Sequence, residues 1–148
     1  MPVTTSLTSN EIEAANRAEA TAILIRTGYR VYRPEADVSG EDLVIRALDG
    51  ELRAAQMKGR PTVDRRRYGG REIWMLFPDP TGAKPGRPWF FVKHDELFAW
   101  VKNRHEAAPG WNDAWSYPRV GEELRKFLQP FMLDAARPEA KDANPNGA

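Results

Sequence analysis

Gln56-Met57-Lys58 sets a side-chain amide and an ammonium two positions apart. In a strand, such residues leave the same face about 7 Å from each other, so the pair can serve one small volume. Whether a carboxylate joins them depends on Asp42. Asp42 to Ala47 is rich in branched apolar residues, Asp49-Gly50 is a turn signal, and Leu52 to Lys58 is a second such run, which together predict a hairpin. A strict two-residue loop would pair Asp42 with Met57 and turn it away from Gln56. A three-residue loop, Leu48-Asp49-Gly50 with Gly50 left-handed, pairs Asp42 with Gln56 instead. In that register Asp42, Val44, Arg46, Leu52, Ala54, Gln56 and Lys58 share one face, and Leu43, Ile45, Ala47, Ala55 and Met57 form a coherent apolar set on the other. The apolar pattern thus favours the register that gathers the polar trio. A carboxylate, an amide oxygen and a backbone carbonyl are hard ligands suited to Mg²⁺, and a lysine beside them can orient or activate water.

The hairpin needs elements to hold it. Thr8-Ser9-Asn10-Glu11 has capping-box spacing, an Ala-rich stretch follows, and Gly28 supplies a left-handed stop, so a first helix is expected over Ser9 to Thr27. Tyr29 to Tyr32 reads as a short strand. Glu72 to Phe77 and Trp89 to Val92 read as two more, separated by a segment rich in Pro and Gly. Leu97, Phe98, Trp100 and Val101 mark a helical face from Asp95 to about His105. A further helix is expected from Val120 to about Leu133, kinked or divided at Pro130. The order of elements indicates one mixed α+β domain over 1–136, followed by a disordered tail over 137–148.

Composition narrows the chemistry. The 148 residues include no Cys, which excludes disulfides, thiolate zinc sites and cysteine nucleophiles. No apolar run approaches the length of a membrane span, and Met1 to Asn10 carries no readable secretory signal, so a cytoplasmic protein with no membrane partner is expected. The net charge of +1 averages unlike segments. Residues 1–52 hold five basic side chains against nine acidic, and residues 53–102 hold eleven against five. Most of that excess lies between Arg53 and Arg71, a local field suited to a polyanion. His94 and His105 share no metal-ligand spacing and receive no catalytic role. The five Trp residues read as core, and Tyr68 as a side chain that could stack on a base.

Asp42 and Gln56-Met57-Lys58 across a hairpin, with Asn16-Arg17-Ala18-Glu19-Ala20, Gly28-Tyr29-Arg30-Val31 and Ser39-Gly40-Glu41-Asp42-Leu43 before them, resemble the PD-(D/E)XK nuclease superfamily. The branches with a Q-x-K motif are nearest, including Holliday-junction-resolvase-like and intron-endonuclease-like proteins. The resemblance spans roughly residues 9 to 60. It implies a restriction-endonuclease-like α/β/α core, with a central mixed sheet of about four to five strands flanked by helices. It also implies hydrolysis of phosphodiester bonds, most readily in DNA, by metal-activated water, with Mg²⁺ as cofactor and Mn²⁺ as substitute.

Carried over by position, the resemblance makes Asp42 the central metal ligand, Gln56 the second, the Met57 carbonyl the third, and Glu19 an acidic ligand from the first helix. Lys58 positions water or stabilises the transition state. Arg60, Arg65, Arg66 and Arg67 fall where they could reach a phosphate backbone, and a homodimer is the common assembly. Two positions depart from the pattern: Gln56 replaces a carboxylate, and Glu41 stands where a Pro often precedes the aspartate. The alternative is a catalytically inactive module of the same fold that binds nucleic acid or, through its Trp- and Pro-rich second half, another protein.

Overall fold

The computed structural model describes residues 6–35, 41–82 and 86–133. Helix α1, Ser9–Thr27, starts where the capping box requires. The Glu11 N–H donates to Thr8 Oγ1 at 3.1 Å, and the Thr8 N–H donates to Glu11 Oε1 at 2.8 Å. It stops at Gly28, whose φ of 109° is left-handed. Strands β1 (Arg30–Tyr32), β2 (Leu43–Arg46) and β3 (Leu52–Met57) follow, then β4 (Thr62–Asp64), the single turn α2 (Arg65–Tyr68), β5 (Ile73–Pro78) and β6 (Trp89–Lys93). Helix α3 (His94–His105), β7 (Ala114–Ser116), α4 (Glu122–Leu128) and a 3₁₀ turn at Gln129–Phe131 complete the described chain.

Five strands form one mixed sheet in the order β1-β2-β3-β5-β6, parallel only between β3 and β5. Strands β4 and β7 make a separate antiparallel pair. This is the expected mixed α+β class with a helix-flanked central sheet. Against one face, α1 brings Ala20 and Leu24 onto Leu43, Ile45, Ala55, Met57, Leu76 and Phe91. On the other face, α3 and α4 bring Leu97, Val101, Leu124 and Leu128 onto Ile73, Met75, Phe77, Phe90 and Val92 of β5 and β6. Strands β5 and β6 are therefore covered on both sides and read as continuous apolar runs.

The β2–β3 turn has the three-residue form. Gly50 lies at φ 90°, its N–H donates to the Ala47 carbonyl, and the Ala47 N–H donates to the Glu51 carbonyl. Leu43 consequently stands opposite Ala55 and Val44 opposite Ala54. Leu43, Ile45, Ala47, Ala55 and Met57 are all buried, as that register demands.

Several expectations need correction. The last helix does not run from Val120 to Leu133. It covers Glu122–Leu128 and gives way to the 3₁₀ turn, because Pro130 lacks the N–H that another α-turn would use. The basic stretch after β3, for which no element was expected, holds β4 and α2. β4 pairs with β7, and Asp64 caps α2 by accepting the Arg67 N–H at 3.3 Å. The tail over 137–148 and the Ser39-Gly40 portion of the family motif lie outside the described residues.

Gly28 combines positive φ with crowding, since an added Cβ would sit 3.0 Å from Leu48 Cδ2. Gly28→Ala is expected to lower the stability of the fold by about 1–2 kcal/mol, read as a reduced urea midpoint at unchanged slope.

Candidate active site

At the end of β3, a cavity of about 440 Å³ is lined by Asp42, Gln56, Met57, Lys58 and Gly59 from the sheet. Ser9, Ile12, Glu13 and Asn16 from α1 form its other wall. The hairpin register delivers the sheet side. Beyond the Leu43 and Ala55 pair the ladder gives way to a side-chain contact. The Asp42 N–H still donates to the Ala55 carbonyl at 2.7 Å, but the Met57 N–H donates to Asp42 Oδ2 at 3.1 Å. This bond fixes the carboxylate against the strand end. The Gln56 amide lies at 3.5 Å from the Met57 carbonyl oxygen through Nε2, so two of the expected oxygen ligands belong to groups already in contact. Turning that amide over exchanges its nitrogen and oxygen within the same envelope.

The donor chemistry fits a hard cation. A carboxylate, an amide and a backbone carbonyl are all oxygen ligands, with no thiolate or imidazole in the cavity lining. Among the described residues no cluster of three His, Cys, Asp or Glu side chains could hold a metal, so any cation here would rest on few protein charges.

Lys58 leaves the sheet with its N–H bonded to the Leu76 carbonyl at 2.9 Å, and its Nζ lies 5.6 Å from the centroid of the Tyr68 ring. The Arg67 guanidinium lies 5.7 Å from the same ring. Tyr68 is only 2% exposed, which overturns its reading as a base-stacking residue: its faces are occupied by these cations and by the core. Arg60, Arg65, Arg66 and Arg67 are exposed, the last three on α2, and the Tyr68 ring brings Arg67 and Lys58 to one place.

Glu19 stands elsewhere. Its carboxylate accepts from Arg87 Nε at 2.7 Å, Arg87 Nη2 at 3.2 Å and Trp89 Nε1 at 2.6 Å, and it does not line the cavity. Arg87, 3% exposed, also donates to Asn16 Oδ1 at 2.7 Å and so ties the cavity wall to the same ion pair. Sequence reasoning gave Asn16 no role of its own, although an asparagine inside an Ala-rich helix, where its propensity is poor, was a readable signal. The partners Arg87 and Trp89 were not readable, because they meet α1 from the far edge of the sheet.

His94 has a structural role. Its Nε2 accepts the Asp64 N–H at 3.0 Å and its Nδ1 bonds Asp95 Oδ1 at 2.9 Å, while Asp95 Oδ2 accepts the Gly70 N–H at 3.0 Å. The pair thus clamps both ends of the basic segment. Burial holds the His94 pKa below its ordinary 6.5, outweighing the opposing pull of Asp95. A second proton would also set an N–H against the Asp64 N–H.

No protein-family model and no curated protein matches this chain. Among solved structures, two chains match it. One is the bacterial homing endonuclease I-Ssp6803I, with TM-score 0.52 and 14% identity, covering 94% of this chain and 99% of that one. At that identity the likeness is one of fold.

Because the native state favours neutral His94, its contribution is fully present above the unfolded pKa near 6.5. It is lost as pH falls from there through the lower folded value. In urea titrations over that window, His94→Gln is expected to remove part of the acid-side decline while lowering stability at neutral pH.

Proposed function

We propose that this chain is a metal-dependent nuclease of the Q-x-K kind, hydrolysing phosphodiester bonds in DNA. The observation that carries the reading is the cavity at the end of β3 shared by Asp42, Gln56, Met57 and Lys58. The fold likeness to a homing endonuclease supports it. In this reading Asp42, the Gln56 amide oxygen and the Met57 carbonyl hold Mg²⁺, for which Mn²⁺ can substitute. Bound there, the cation would supply Lewis acidity, lowering the pKa of a water and offsetting phosphate charge.

The protein's own residues do the remainder. Asp42, fixed by the Met57 N–H, cannot swing away from the cavity without losing a backbone bond. Lys58 donates to the attacked phosphate or to the incoming water, and the Tyr68 ring restricts where its ammonium can go. Water adds to phosphorus, one ester oxygen leaves with a proton, and a phosphomonoester and an alcohol result. Arg60, Arg65, Arg66 and Arg67 hold the neighbouring backbone without reading sequence. A homodimer would let two such sites act on both strands of a duplex. No helix of the described residues is long and apolar enough to cross a membrane.

Lys58→Ala and Asp42→Ala are each expected to reduce Mg²⁺- or Mn²⁺-dependent cleavage at least about a hundredfold, with circular dichroism unchanged. Gln56→Glu, which adds a second carboxylate, is expected to tighten Mg²⁺ binding in calorimetry. Absence of cleavage of duplex, branched and single-stranded DNA by the unmodified protein, with salt-dependent binding retained, would favour the inactive module.

A further inference from the structure

The helices cover the central sheet unevenly. Helix α1 packs on one face, and α3 and α4 cover only β5 and β6 on the other. Among the described residues no helix covers the rest of that second face, formed by β1, β2 and β3. Arg30, Tyr32, Arg46 and Leu52 are exposed, and Val44 and Ala54 are half-buried. It is the same face that carries Gln56 one strand period beyond Ala54.

The register places Arg30 directly opposite Arg46. Paired residues in antiparallel strands have Cα atoms about 5 Å apart and share a face, so two guanidinium groups emerge side by side. Like charges in that position oppose folding. Among the described residues neither arginine takes part in an ion pair, and β1, β2 and β3 contain no acidic residue. By contrast Arg53, on the other face of β3, lies near Asp49 and Glu51 and over Trp74. A charge on an edge strand discourages unwanted strand pairing, which would account for Arg30. It does not account for Arg46, whose strand is paired on both sides.

We propose that this open face is a second phosphate-binding surface, in which Arg30 and Arg46 hold the backbone of a DNA duplex engaged at the cavity. The proposal rests on the nuclease reading and extends it. Leu52, the neighbour of Arg46, lies four positions before Gln56 on β3, a distance of about 13 Å along the strand. That spans about four nucleotide steps at the helical rise of one DNA strand. Tyr32, 45% exposed and opposite Val44, lies between the arginine pair and the cavity end and can lie against sugar or phosphate. Arg67 of α2 shares the Tyr68 ring with Lys58 at the cavity end, and Arg30 and Arg46 stand further down the open face, at the other end of the strands. The duplex thus meets cations at both ends of the strands, and the mutual repulsion of Arg30 and Arg46 is relieved by the polyanion they bind.

The test measures binding of a short labelled DNA duplex in EDTA over a range of KCl, so that it does not depend on cleavage. Arg30→Gln with Arg46→Gln is expected to weaken binding and make the slope of log affinity against log salt shallower by about 2, one step for each phosphate no longer neutralised. Arg46→Glu is expected to weaken binding while raising the thermal midpoint by about 1–3 °C, since it replaces a like-charged cross-strand pair with an opposite one. An unchanged slope in the double variant, or a lowered midpoint in Arg46→Glu, would overturn the proposal. So would a change in oligomeric state with DNA binding intact, which would make this face a contact between copies. If the unmodified protein binds no DNA, the nuclease reading falls with it; if it binds and cleaves DNA but the double variant keeps its slope, only this surface is ruled out.

Discussion

Much of this protein depends on one extra residue in the turn between β2 and β3. With Gly50 left-handed, Leu43 meets Ala55, and the apolar residues of both strands face α1 together. A slip of one residue would send Leu43 and Ile45 to the open face and bring arginine into the core. It would also separate Asp42 from the strand end where its carboxylate accepts the Met57 N–H. Core packing and the geometry of the candidate site are therefore a single constraint. The burial of Leu43, Ile45, Ala55 and Met57 stabilises the register, and the register sets the polar groups on a rigid platform.

A second constraint joins the helix to the sheet. Glu19, Arg87, Trp89 and Asn16 form one hydrogen-bonded group between α1 and the approach to β6. Arg87 is nearly inaccessible, so its charge is tolerable only with Glu19 in place, and Glu19 is 27% exposed and still solvated in part. The group acts as a brace. It aligns α1 so that Asn16 and Glu13 stand across the cavity from Asp42 and Lys58.

The legible and illegible parts of the structure divide by sequence distance. The bounds of α1, the three-residue turn and the shared placement of Asp42, Gln56 and Lys58 follow from local signals: a capping box, a glycine, and alternation in two neighbouring runs. β4 and β7 were not legible, since each has three residues and exists because Thr62 meets Ser116 and Val63 meets Trp115 across the chain. The same holds for Glu19, whose partners Arg87 and Trp89 are distant in sequence. Tyr68 looked like an exposed aromatic among arginines, but the fold draws it beneath Lys58 and against His94. In each case a long-range contact outweighed a local pattern.

The cavity has walls of unequal stiffness. On the sheet side, Asp42 is bonded to Met57, whose strand is hydrogen-bonded on both edges. On the helix side, Ser9, Ile12 and Glu13 lie in the opening turns of α1, where every residue from Ser9 to Ala15 is exposed and no core contact opposes fraying. The reciprocal bonds between Thr8 and Glu11 hold those turns wound. The helix side of the cleft is thereby held by end-capping bonds rather than by core packing, whereas its sheet side is held by the strand ladder.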